Sequence, residues 1–80
     1  MDGFWIGAGN PGLFYYSFRD DAVHSVEYSS GRPVIEIHDI YEENDSVLYA
    51  DNGRWIGFYK MVLEKKGGTI NVRQQKRYHF

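Results

Sequence analysis

Cysteine is absent from the 80 residues, which excludes a disulfide framework and a thiolate zinc site and leans towards a reducing compartment. No apolar stretch exceeds a few residues, far short of a membrane span, and the amino terminus lacks a basic region followed by an apolar one. The expectation is a soluble, cytoplasmic chain with no cleaved signal and no membrane partner. Acidic residues are scarce towards one end: residues 54 to 80 hold Glu64 against seven Lys or Arg, whereas residues 1 to 53 hold ten Asp or Glu against Arg19 and Arg32. The formal net charge of −2 therefore hides one part near −8 and another near +6. Either the surface carries an acidic and a basic patch, or oppositely charged strands pair across a sheet and cancel.

What is present in quantity is aromatic. Seven Tyr, five Phe and two Trp make up 18% of the chain. A single domain of this length buries only about 60% of its unfolded surface, so an aromatic core has to stand in for the missing cross-links. Only part of that aromatic surface fits inside, and the remainder stays partly exposed.

Glycine-bearing breaks divide residues 1 to 80, read as one small β-rich binding domain, into "GFWIG", "LFYYSFR", "AVHSVEY", "PVIEIHDIY", "SVLYA", "RWIGFYKMVLE" and "TINVRQ". These are strand-like in composition, and several alternate with period two, which predicts an antiparallel meander closed into a barrel or folded into a sandwich. "YADNGRW" predicts a two-residue hairpin at Asn52-Gly53, setting Asp51 against Arg54, Ala50 against Trp55, Tyr49 against Ile56 and Val47 against Phe58. A second hairpin is expected at "KKGGT", with Ile70 and Val72 beside Met61 and Leu63. An α+β alternative places one helix at about residues 54 to 66, since Trp55, Ile56, Tyr59, Val62 and Leu63 also fit a helical face; a weaker helix candidate runs from Asp20 to Gly31.

"GAGNPG" at residues 7 to 12 has the Gly-x-Gly-x-x-Gly spacing of a phosphate loop. That chemistry needs a helix after the glycines and a parallel sheet around them, whereas a strand-like run follows here. Pro11-Gly12 is instead expected to reverse the chain. "GAGNPGLFYYSFRDD" resembles the opening of bacterial peptidyl-tRNA hydrolases at Gly7, Gly9, Asn10, Pro11, Gly12, Tyr15 and Arg19. Where that family places its catalytic His this chain has Asp20, and Asp21 replaces the Asn that follows. The general base is missing, so the resemblance carries no activity.

His24, His38 and His79 lie far apart, and "DIYEENDS" lacks the Asp/Asn and Gly spacing of a calcium loop, so no metal, cofactor or catalytic residue is assigned. The acidic stretch reads as a solvated hairpin loop. The expected activity is non-catalytic binding to another protein, a basic one being favoured, in the manner of a small inhibitor or regulator such as viruses encode; a homodimer is also open. Its contact residues would be Arg54, Trp55 and Tyr59, with Asp39, Glu42, Glu43 and Asp45 steering the partner. A nucleic-acid alternative uses Lys65, Lys66, Arg73, Lys76, Arg77 and Tyr78, which mix cations with an aromatic ring. A small-molecule pocket inside a closed barrel is a third possibility.

Overall fold

The computed structural model describes residues 2–10, 12–51, 53 and 57–79. Seven strands follow one another: β1 (Gly3–Gly7), β2 (Leu13–Ser17), β3 (Ala22–Tyr28), β4 (Asp39–Asn44), β5 (Val47–Asp51), β6 (Gly57–Lys66) and β7 (Thr69–His79). The described residues contain no helix. Both helix candidates are therefore corrected: residues 57–66 form β6, and the stretch read from Asp20 to Gly31 contains β3. In β3 the exposed and half-buried residues alternate strictly, which is the period-two signature of a half-covered strand.

The strands form one sheet in the order β1-β2-β3-β7-β6-β5-β4, curled until its outermost strands approach each other as a nearly closed barrel. All neighbours are antiparallel except one pair. β3 runs parallel to β7, with Val26 opposite Ile70 and Tyr28 opposite Val72, so the expected simple meander is corrected at this junction. The seam between β1 and β4 is bridged where Trp5 Nε1 donates to Glu42 Oε2 over 3.2 Å. The connection from 29 to 38 closes one end. Its Ile37 N–H donates to the Ala8 carbonyl and its His38 N–H to the Asp51 carbonyl.

"PVIEIHDIY" is thus not one strand. Glu36 takes φ +53°, a left-handed conformation costly for a residue with a Cβ, and the strand begins only at Asp39. The kink turns Val34 and Ile37 inward, where both are buried. Leu13, Tyr15, Leu48, Ala50, Met61, Leu63, Ile70 and Val72 complete the core, with Trp5, Val26, Tyr28, Ile40 and Tyr59 packed against it. Fully burying a residue such as Leu48 or Met61 contributes about 1.5–3 kcal/mol each.

Gly67 and Gly68 take φ +59° and +84°, joining β6 to β7 in the tight hairpin expected from "KKGGT"; Val72 faces Leu63 as expected, whereas Ile70 faces Lys65 and Met61 faces Gln75. The Asn52-Gly53 hairpin differs. β5 and β6 pair with Ala50 opposite Tyr59, Tyr49 opposite Lys60, Leu48 opposite Met61 and Val47 opposite Val62, a register four residues from the expected one. Burial decides this: the expected register would have set Leu48 against Gly57, whereas the observed one pairs two side chains of zero exposure. Asn52, Arg54, Trp55 and Ile56 lie outside the described residues, and with them the expected turn type and the Asp51–Arg54 pairing.

The acidic stretch is also corrected. Residues 39–44 form a sheet-edge strand, not a loop, because Ile40 packs inward on the core and Tyr41 pairs with Tyr49. Exposed carboxylates along such an edge oppose pairing with another chain's strand.

Candidate protein-binding surface

Alternation places one set of side chains on the outer wall of the barrel. Across β4, β5, β6 and β7 these are Tyr41, Tyr49, Phe58 and Tyr78, which make a continuous aromatic ribbon. The ring centroids are 6.1 Å apart from Tyr41 to Tyr49, 5.9 Å from Tyr49 to Phe58 and 5.0 Å from Phe58 to Tyr78. Register explains the row, since Tyr41 faces Tyr49 and Phe58 faces Tyr78 directly, while Tyr49 and Phe58 sit diagonally. Tyr41 is 67% exposed.

Charge flanks the ribbon on both sides. Lys60 lies opposite both Tyr49 and Lys76, and the Lys76 ammonium stands 5.0 Å from the Tyr78 ring centroid. On the other side are the exposed carboxylates of β4. β5, whose only charged residue is Asp51, separates the acidic strand from the basic pair β6 and β7, so these strands do not cancel by direct pairing.

The predicted contact residues divide. Tyr59 is on the inward side of β6, packed against the core, and so falls one residue out of phase with the outward Phe58. Glu42 is held at the seam by Trp5, and Glu43 accepts from the Tyr49 hydroxyl over 2.7 Å. Asp39 and Asp45 are exposed. Arg54 and Trp55 lie outside the described residues.

The six residues of the nucleic-acid alternative do not converge. Lys76 and Tyr78 are on the outer wall and Arg73 is exposed on β7, whereas Lys65 and Lys66 are at one barrel end, and Arg77 lies opposite Tyr59. Leu13, Leu48, Met61 and Val72 are fully or almost fully buried in the barrel interior. No group of His, Asp and Glu among those residues is placed to hold a metal ion, and no helix of theirs is long and apolar enough to cross a membrane.

A second aromatic cluster, Phe4, Tyr16 and Phe18, covers the outer side of β1 and β2 with centroid separations of 5.0, 6.0 and 5.6 Å. Phe14, Tyr16 and Phe18 share a face in the sequence pattern, so this cluster was partly visible there. The ribbon on β4 to β7 was not, because its members come from four strands and meet only in the observed register.

Several phenols are held neutral. The bond to Glu43 raises the Tyr49 hydroxyl, and the bond to Asp21 raises that of Tyr16. Burial raises Tyr28, opposed by the Val34 N–H that donates to its oxygen. Removal from water, then the carboxylate of Asp2, raises Tyr15. A phenol whose folded value lies above the ordinary one near 10 contributes stability that is present below that pH and lost as pH rises through the folded value. Native tyrosinate absorbance should therefore lag that of the urea-unfolded chain, with the urea midpoint falling above about pH 10. Coincident titrations and a constant midpoint would contradict the assignment.

No protein-family model, curated protein or solved structure matches the chain. The functional reading therefore rests on the surface itself.

Proposed function

We propose that this domain is a non-catalytic binding protein, an inhibitor or regulator in kind, that engages another protein through the ribbon of Tyr41, Tyr49, Phe58 and Tyr78. The supporting observation is this row of rings on the outer wall, open at Tyr41 and edged by carboxylates on one side and by Lys60 and Lys76 on the other. Tyr combines large contact area with a polar tip and few rotatable bonds, and such residues dominate protein contact energies. Asp39, Asp45 and Glu43 bias the encounter towards a partner with basic groups at that margin.

The test is affinity capture from the source cells with wild type and a Tyr41→Ala, Tyr78→Ala double variant, followed by a titration of the dominant captured protein. Loss of two such contacts is expected to weaken binding by roughly 30-fold or more. Equal affinity for both forms would reject the ribbon as the contact surface. The stacking of Phe58 on Tyr78 at 16°, with Lys76 beside it, favours nucleic acid as the second reading. That reading requires single-strand affinity that falls steeply with salt and disappears in the same variant.

A further inference from the structure

At the barrel end opposite the 29–38 connection, the parallel junction of β3 and β7 brings two turns side by side. Because those strands start at the same end, the turn before β3, carrying Arg19 and Asp20, lies beside the Gly67-Gly68 turn before β7 and the Lys65 and Lys66 that end β6. An antiparallel junction would have placed them at opposite ends. The two turns and the start of β1 enclose an open cleft of about 680 Å³, within the range of small-molecule sites.

Three cations line it: Arg19, Lys65 and Lys66. None of the three has a carboxylate partner at ion-pair distance among the described residues. Lys65 is steered by aromatic faces, its ammonium 4.9 Å from the Tyr15 centroid and 6.0 Å from that of Trp5. Of the two carboxylates in the cleft, Asp20 is taken up by His24 Nε2 at 2.8 Å, while Asp2 is open. Three cations face two carboxylates along the cleft, while Glu42 and Asp45 act on Tyr15 from beyond its rim. Tyr15 floors the cleft, and Phe18, 52% exposed, supplies an open aromatic surface at its side. Ser17 and Thr69 add hydroxyl groups. Gly67 and Gly68 leave the turn without side-chain bulk.

We infer that this cleft binds a small organic phosphate bearing a planar ring, of mononucleotide size. The phosphate sits among Arg19, Lys65 and Lys66, where charge-assisted hydrogen bonds are strongest, and the ring lies against Phe18. Asp2 and Asp20 set the upper limit of ligand charge. They tolerate a ligand of one or two negative charges and repel a long polyanion, which distinguishes the cleft from a strand-binding groove. The site is independent of the outer-wall ribbon, and either can fail without the other.

The experiment is an NMR titration of the whole chain with adenosine 5′-monophosphate, adenosine and inorganic phosphate. Saturable shifts are expected at the amides of 17–20 and 65–69, half-complete at about 1 mM or below for the nucleotide, with adenosine and phosphate each about tenfold weaker. Arg19→Gln with Lys66→Gln, both exposed, should weaken the nucleotide by about tenfold while leaving the melting temperature unchanged. Phe18→Ala should remove the advantage of the nucleotide over inorganic phosphate. Equal response to adenosine and the nucleotide, shifts centred on Phe58 and Tyr78, or no saturation at about 10 mM would overturn the inference.

Discussion

Replacement of Leu48 by alanine is expected to remove about 2–5 kcal/mol of stability. Leu48 has zero exposure and lies directly opposite Met61, which also has none. Truncation deletes apolar area and leaves a void at the centre of the β5 and β6 pairing, which a barrel held by backbone ladders on both sides collapses only partly to fill. An 80-residue domain has roughly 4–12 kcal/mol in total. The variant should therefore be partly unfolded at physiological temperature. Urea denaturation checks it, with Leu48→Met as a volume-matched control costing less than about 1.5 kcal/mol. Equal midpoints for the alanine and methionine variants would show that Leu48 does not hold the core.

Gly12→Ala is the second large effect, about 1–3 kcal/mol or more. A Cβ at Gly12 would overlap the Val34 carbonyl oxygen and stand 2.8 Å from Ile35 Cα. Both obstacles are backbone, so no rotamer change relieves them. The 29–38 connection would have to retreat, drawing Val34 and Ile37 out of the core and breaking the Ile37 N–H bond to Ala8. Gly9 provides the control, since nothing lies within 4 Å of a Cβ there and Gly9→Ala should change stability by no more than about 0.5 kcal/mol. Hydrogen exchange at the Ile37 amide should quicken in the first variant and not in the second. Matching behaviour at both glycines would refute a packing role for Gly12.

These two residues also mark how far the fold can be read from sequence. Chain reversal is expected at "GAGNPG", and β1 and β2 pair antiparallel across it, while Pro11 lies outside the described residues. That Gly12 exists to let another backbone pass is invisible, because its neighbour lies more than twenty residues further along the chain. Period two identifies β2, and Gly67-Gly68 locates its hairpin, since both signals are local. Register in the β5 and β6 hairpin is set by Leu48 meeting Met61, a burial term that outweighs the Asn-Gly turn preference. The β4 sequence suits a strand or a loop, because edge protection and loop solvation call for the same residue types: Glu42, Glu43 and Asn44 satisfy either. For the candidate surface, a frame error of one residue put Tyr59 outside in place of Phe58. Charged and aromatic residues were recognised as contact-forming, but which of them share a wall depends on the register and on the β3–β7 junction.

That junction has a further consequence for how the chain acquires its shape as it is synthesised. β1 to β3 and β4 to β6 each assemble by joining segments that are neighbours along the chain, with modest loop-closure cost. Strand pairing between the two groups runs through β7, which pairs with β3 on one side and β6 on the other and supplies Ile70 and Val72 to the core. A nascent chain emerging amino terminus first therefore holds two half-sheets not yet paired with each other until residues 69–79 appear, and β7 acts as the keystone of the barrel.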